Sequence, residues 1–252
     1  RSSDLQAQLD RSVRSQPLVL LGEVHDNAAQ HRLRAEAWRA LLASGARPAL
    51  LMEQFDRERQ ADLDRARAQP GATADQVIAA GRSSADAWDW PLYRPFIEAA
   101  LAHGVPVVAA NVSRADTRRV MGQGLAALGF EARVPEDVLA SHAQDIEQSH
   151  CGLVNLAQAR RMAVAQVARD QFMARLLALH AGRGAVLLAG NGHVRRDTGI
   201  ARWLPPELAS RSVSIGLLER GEGSPGVYDV RITTEPARRA DPCEGLRNAT
   251  PT

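Results

Sequence analysis

Glu23 and His25 stand two residues apart in the run Gly22-Glu23-Val24-His25, directly after the apolar stretch Pro17 to Leu21. On a continuing strand, residues i and i+2 share a face, so a carboxylate and an imidazole would point the same way. Three further apolar runs end in polar residues: Ala49 to Met52 in Glu53, Val105 to Ala110 in Asn111, and Ala185 to Gly190 in Asn191-Gly192-His193. If the four runs are parallel strands of one sheet, their ends open on one edge, where open α/β sheets bind ligands. Two carboxylates, two imidazoles and two amides then converge. Glu23, His25, Glu53 and His193 together suit a divalent Zn, Mn or Fe ion. In a metal-dependent hydrolase of protease or esterase type, Glu53 would be a ligand or the general base that activates water. The plainer reading makes each of these residues a helix cap, since Asp26, Asn27 and Asn191 are ordinary turn and N-cap types. The meeting of four strand ends favours the functional one.

Other candidates are weaker. His31, one turn into the helix after Asn27, is either solvated or the hydrogen-bond partner of a ligating carboxylate. His103, His142 and His180 fall in helical or helix-end contexts and read as surface or capping residues. His150 beside Cys151 allows a soft-metal or haem contact, and Cys151 and Cys243 either pair or remain thiols. Trp88, Trp90 and Tyr93 crowd together with Pro91 and Pro95, as a packing plug or a ligand wall. A phenolate can be an axial haem ligand, which makes Tyr93 a candidate beside its ordinary reading as a packed tyrosine with a bonded hydroxyl.

The elements that must position these groups follow from periodicity. Ala35, Trp38, Leu41 and Leu42 recur at helical spacing and end near Gly45, which makes a βα unit with the first strand. A helix from about 56 to 69 follows the second strand. From about 113 to 182 the pattern is helical, with a long helix over 155–181 and a helical lid over about 118–155. The chain then returns to sheet at Ala185, with a helix around Arg195 to Leu204, strands near 212–218 and 227–233, and a loose tail after Glu235. The expected fold is a single α/β domain over 1–252, with a mainly parallel central sheet flanked by helices and the helical lid inserted.

Composition excludes several classes. All 31 basic residues are arginine, so a Schiff-base lysine and a phosphate-loop lysine are both ruled out. There is no Gly-x-Ser-x-Gly elbow. A net charge of +2, with acidic and basic residues interleaved, argues against a nucleic-acid partner. No apolar stretch reaches the ~18–20 residues a membrane helix needs. The start at Arg1 fits a removed signal or lipoprotein segment as well as a trimmed chain.

The runs Gly22 to Asn27, Met52-Glu53, Trp88 to Tyr93, Ala110-Asn111, His150 to Gly152, Ala168 to Asp170 and Gly190 to His193 resemble, in order and spacing, the ChaN family of bacterial haem-binding proteins. The resemblance covers about Pro17 to Leu218. It implies an α/β protein with a helical lid, exported and often lipid-anchored, periplasmic or at the outer membrane of a Gram-negative bacterium. It also implies a role with the haem or iron uptake machinery, haem bound through a tyrosinate, and a homodimer that can hold two haems face to face. By position Tyr93 is the implied ligand of the haem iron, Trp88 and Trp90 supply apolar walls, and Arg94 faces the propionates. Membrane attachment would come only through a removed lipid-anchored N-terminus. The family is also similar to a wider superfamily with Tiki, TraB and erythromycin-esterase-like proteins, whose strand-end Glu and His motifs match Gly22 to His25, Glu53 and Gly190 to His193.

Overall fold

A computed structural model of the chain describes residues 2–83, 87–223, 226–241 and 243–244. In chain order the elements are α1 (Ser2–Val13), β1 (Leu18–Leu21), α2 (Ala28–Ala43), β2 (Ala49–Asp56), α3 (Gln60–Arg67), α4 (Ala74–Gly81), α5 (Trp90–Ala102), β3 (Val107–Asn111) and α6 (Arg114–Gln123). They continue with α7 (Glu136–Ser149), α8 (Leu156–Leu179), β4 (Ala185–Leu188), the single-turn α9 (Asn191–Val194), α10 (Pro206–Ala209), β5 (Ser212–Glu219) and β6 (Val230–Thr234).

Among the described residues six strands form one sheet in the order β3-β2-β4-β1-β5-β6, and every pairing is parallel. The expected α/β class with a parallel central sheet is what the chain adopts. Both faces are covered, which is why β1 and β4 are uninterrupted apolar tetrads, Leu-Val-Leu-Leu and Ala-Val-Leu-Leu, with every residue buried. Leu9, Trp38, Phe96 and Val105 pack with one set of alternate strand residues; Met173, Ala174 and Leu177 of α8 pack with the other. Trp38 is fully buried, and its indole N–H donates to the carbonyl of Phe96 at 3.1 Å, joining α2 to α5.

Local chemistry sets the helix starts. Asn27 accepts from the Gln30 amide and opens α2. Asn155 and Gln158 form a reciprocal capping box that opens the 24-residue α8. The region 118–155 holds the end of α6, a 3-10 turn and α7. Val138 packs with Val120, Phe130 and Val167, and Ala143 and Ile146 pack with Ala159 and Ala163, in clusters separate from those of the sheet. No helix among the described residues is long and apolar enough to cross a membrane.

Two expectations are corrected. The helix expected over Arg195 to Leu204 is only a 3-10 turn over Ile200–Trp203. Gly199 lies so close to the backbone of His193 and Arg195 that the chain folds back on α9 instead of extending as a helix. The described part of the tail after Glu235, residues 236–241 and 243–244, is also not loose, and the rest of that expectation falls outside the described residues. Ala237 N–H donates to Glu219 at 2.9 Å, and Arg239 makes paired bonds of 2.7–2.8 Å to Glu219 and Asp26. Cys243 is joined to Cys151 in a disulfide with a Cα–Cα distance of 5.6 Å.

Candidate functional site

The parallel register brings Leu21 level with Leu188 on one side and Ile215 on the other. Gly22 and Ala189 therefore leave the sheet together, and the chain on both sides turns into one crevice of about 300 Å³. Gly22 has to be glycine: a Cβ there would stand 2.8 Å from Val194 Cγ2 and 2.9 Å from the Ile215 carbonyl oxygen. Gly22→Ala is expected to cost about 1–3 kcal/mol through overpacking, read as a lower thermal midpoint at unchanged fold.

Glu23, at the end of β1, is buried and gathers four groups. Tyr93 O–H donates to its Oε1 at 2.5 Å, His25 Nδ1 lies 2.6 Å from the same oxygen, the Arg34 guanidinium donates to Oε2, and His31 Nδ1 is 3.7 Å away. Burial alone would raise the Glu23 pKa. The Arg34 charge and the bond from His25 outweigh it and hold the carboxyl near about 2, so it is ionised. A carboxylate only accepts, so Nδ1 of His25 carries a proton. For His25, burial opposes the charged form, but the Glu23 bond and the charges of Glu53 and Glu23 raise its pKa above the ordinary value. His31 Nε2 donates to the carbonyl of His25 at 2.9 Å, and burial together with Arg34 pushes its pKa down to about 4. His31 is a neutral brace, buried rather than solvated.

A second cluster lies on the β2 and β4 side. Glu53 accepts from the Gly190 amide at 2.8 Å and lies 3.3 Å from His193 Nε2. His193 Nδ1 is 2.6 Å from Asp170 of α8, and the other Asp170 oxygen lies 3.4 Å from His142 Nε2 of α7. Both ring nitrogens of His193 face carboxylates, so it is an imidazolium. Burial works against the charge, yet Glu53 and Asp170 raise its pKa to about 10, while Glu53 is held well below the carboxylate range by His193.

These shifts fix the pH response of folding. The stability that His193 contributes is complete below its ordinary pKa near 6.5 and is lost as pH rises through about 10; that of Glu23 is present above 4.5 and lost as pH falls towards about 2. Urea midpoints are therefore expected to form a plateau between about pH 4.5 and 6.5 and to fall on both sides. His193→Gln should flatten the alkaline limb.

Of the sequence candidates, Glu23, His25, Glu53 and His193 do meet in one crevice, but not as a ligand set. His25 Nε2 apart, their donor atoms are committed to one another and to Arg34, Tyr93, Asp170 and the Gly190 amide. Among the described residues no group of three or more His, Cys, Asp or Glu side chains is arranged to hold a metal ion. Trp88 and Trp90 both meet Tyr93 edge-on, with ring centres 5.7 and 6.2 Å apart, so the three aromatics cluster, but Arg94 leaves them because successive positions of α5 point about 100° apart. Tyr93 is fully buried on Glu23, and Trp90 stacks on Phe55 with ring centres 5.0 Å apart. Arg94 faces outward to Asp75 and Glu98 at 3.2 and 3.1 Å, and Trp88 stands edge-on to His25 at 4.8 Å. Burial and the adjacent Glu23 charge push the Tyr93 pKa far up, so its phenol is a donor to Glu23. His142, expected at the surface, is buried. Arg34, Asp170 and His142 were the residues that sequence reasoning missed as site members.

A doubly wound α/β protein with a polar site at the ends of its central strands is the class this geometry defines. The chain belongs to the family described as haem-binding uptake, Tiki superfamily, ChaN, whose model matches residues 10–204. It is similar to the structure described as cofacial haem binding to ChaN of Campylobacter jejuni, with 20% identity, 90% of each chain covered and a TM-score of 0.72. An erythromycin esterase, EreC, in its open conformation shares the fold more distantly, with 14% identity, 85% of this chain and 73% of that chain covered, and a TM-score of 0.51. No curated protein matches the chain.

Proposed function

We propose that this protein binds haem as cargo in bacterial haem or iron uptake, and that His25, not Tyr93, contacts the iron. Membership of a haem-binding family supports the ligand. The observation that carries the assignment is the state of His25. Its side chain is half exposed at the mouth of the crevice, and its Nδ1 is held on buried Glu23 at 2.6 Å. That leaves Nε2 as the coordinating atom, and a carboxylate on the far ring nitrogen is the usual partner of a metal-bound histidine. The tyrosinate that the resemblance implies would come from Tyr93, whose proton Glu23 retains, or from Tyr228, pushed up to about 12 chiefly by burial. At about 300 Å³ the crevice is at the small end of ligand cavities. His25, with Trp88 beside it, would hold the haem at the mouth of the crevice, and pairing with a second copy of the chain belongs to the same proposal. A periplasmic or outer-membrane location, with attachment through a lipid-modified N-terminus, belongs to the same proposal, and the Cys151–Cys243 bridge supports an oxidising compartment. The test is a haemin titration of the purified protein followed by absorption spectroscopy. Saturable binding at one haem per chain is expected; its absence would reject the reading.

A second reading is favoured by the same dyad. An imidazole oriented by a buried carboxylate is also a general base, with the His193 imidazolium across the crevice as a fixed positive charge. It replaces the metal-dependent hydrolase with metal-free acid–base chemistry. Ester hydrolysis that survives chelator and vanishes in His25→Ala would establish it.

A further inference from the structure

We propose that the Cys151–Cys243 disulfide is a redox latch on the crevice: a dithiol reductant releases it and opens access to His25. This rests on the crevice being the binding site and adds how entry to it is controlled. The strap 235–241 leaves β6 beside the loop that carries His25. Asn27 Nδ2 donates to the Glu235 carbonyl at 3.0 Å and to Glu219 at 2.8 Å. Arg239 then bridges Glu219 and Asp26, the residue next to His25. Further along, Cys243 is bonded to Cys151 just beyond the end of α7, and Asp145, Ile146 and Ser149 of α7 line the crevice opposite. One strap therefore ties the wall made by α7 to the loop that presents the imidazole.

The wall it holds packs on α8 and its neighbours rather than on the sheet itself. At its C-terminal end α7 buries Ala143 and Ile146 against Ala159 and Ala163, outside the clusters that cover the sheet. Among the described residues its direct polar links to the body are His142 to the Thr198 carbonyl at 3.1 Å and to Asp170 at 3.4 Å, Glu136 to Arg160 at 2.8 Å, Asp137 to Arg202 at 2.7 Å and Asp145 to Arg195 at 3.7 Å. Cys151 is also the one non-glycine residue among those described with a positive φ, 59°, followed by Gly152 at 71°. L side chains disfavour that region, so the turn brings Cys151 to its partner in a conformation that the bridge helps to hold. Both cysteines are partly exposed, within reach of a thiol in solution.

The chemistry balances. A thiolate of the dithiol attacks one sulfur, the Cys151–Cys243 bond breaks, and a mixed disulfide forms. The second thiol of the reductant resolves it, so that the protein gains two thiols and the reductant becomes the disulfide, with two electrons and two protons transferred.

The experiment compares acylation of His25 by diethyl pyrocarbonate in the native protein with and without prior reduction by dithiothreitol removed before labelling. Free thiols are counted, circular dichroism reports the fold, and peptide mass spectrometry reads each histidine. His180, on the opposite edge of the sheet, is the internal reference. Reduction is expected to raise the His25 rate about tenfold with His180 unchanged, which corresponds to a local opening made easier by about 1.4 kcal/mol. Cys151→Ala/Cys243→Ala should show the same rate without reductant; should that variant fail to fold, the reduced wild-type chain decides. An unchanged His25 rate with both thiols free, or an equal rise at His180, overturns the latch. Haem is absent from the assay, so failure of the haem reading and failure of the latch are separate results.

Discussion

Replacing Arg34 with Met is expected to lower the unfolding free energy by about 3–5 kcal/mol, because it strands the Glu23 carboxylate in the interior without its counter-charge. Arg34 and the Glu23 side chain are both fully buried, and the guanidinium also donates to the Leu21 carbonyl at 3.1 Å. Chemical denaturation of Arg34→Met should show a large fall in midpoint at unchanged slope. The second variant in the cycle separates the causes. Glu23→Gln/Arg34→Met removes the stranded charge and should recover a large part of the loss, since a buried pair is worth far less than the cost of breaking it on one side. If the double variant is as unstable as the sum of the singles, the two residues act independently and the charge cluster is not what organises the end of β1.

His25→Ala is expected to weaken haemin binding by more than about 100-fold, since losing even a group that orients a metal ligand costs about 10–100-fold. This variant also leaves buried Glu23 one donor short, so a loss of about 1–3 kcal/mol in stability is expected beside the loss of binding. Tyr93→Phe should separate the two effects. It keeps the haem spectrum and loses stability by about 1–3 kcal/mol, because Glu23 is left one donor short in a buried place. Titrations of the two variants beside the wild-type chain decide between them. A spectrum retained in His25→Ala and lost in Tyr93→Phe would return the iron to the tyrosine.

The fold and half of the site were legible in the sequence for a simple reason. Buried parallel strands are short apolar runs with polar ends, and Glu23, His25, Glu53 and His193 each stand at such an end. The other half lies on helices, where a functional residue is a breach in an apolar stripe. Arg34 sits between Gln30 and Trp38 at intervals of four, and Asp170 between Val167 and Ala174, all of them buried. A charge on a core-facing stripe was the available signal. Position alone could not have told that Tyr93 and Arg94, adjacent in the chain, face different surroundings. That depends on how α5 is rotated against Phe55 and His31, which packing decides.

The strand order carries a consequence for how the chain is made. β1 lies at the centre of the sheet, between β4 and β5, and these begin only at Ala185 and Ser212. At ribosomal rates of about 5–20 residues per second, the earliest apolar strand waits on the order of ten seconds or more for its first neighbour. Contacts so distant in sequence make for slow folding. Through that interval Leu18 to Leu21 present open backbone edges, the condition under which strands pair with the wrong chain. A nascent chain of this topology has good reason to be shielded by a chaperone until its last third has emerged.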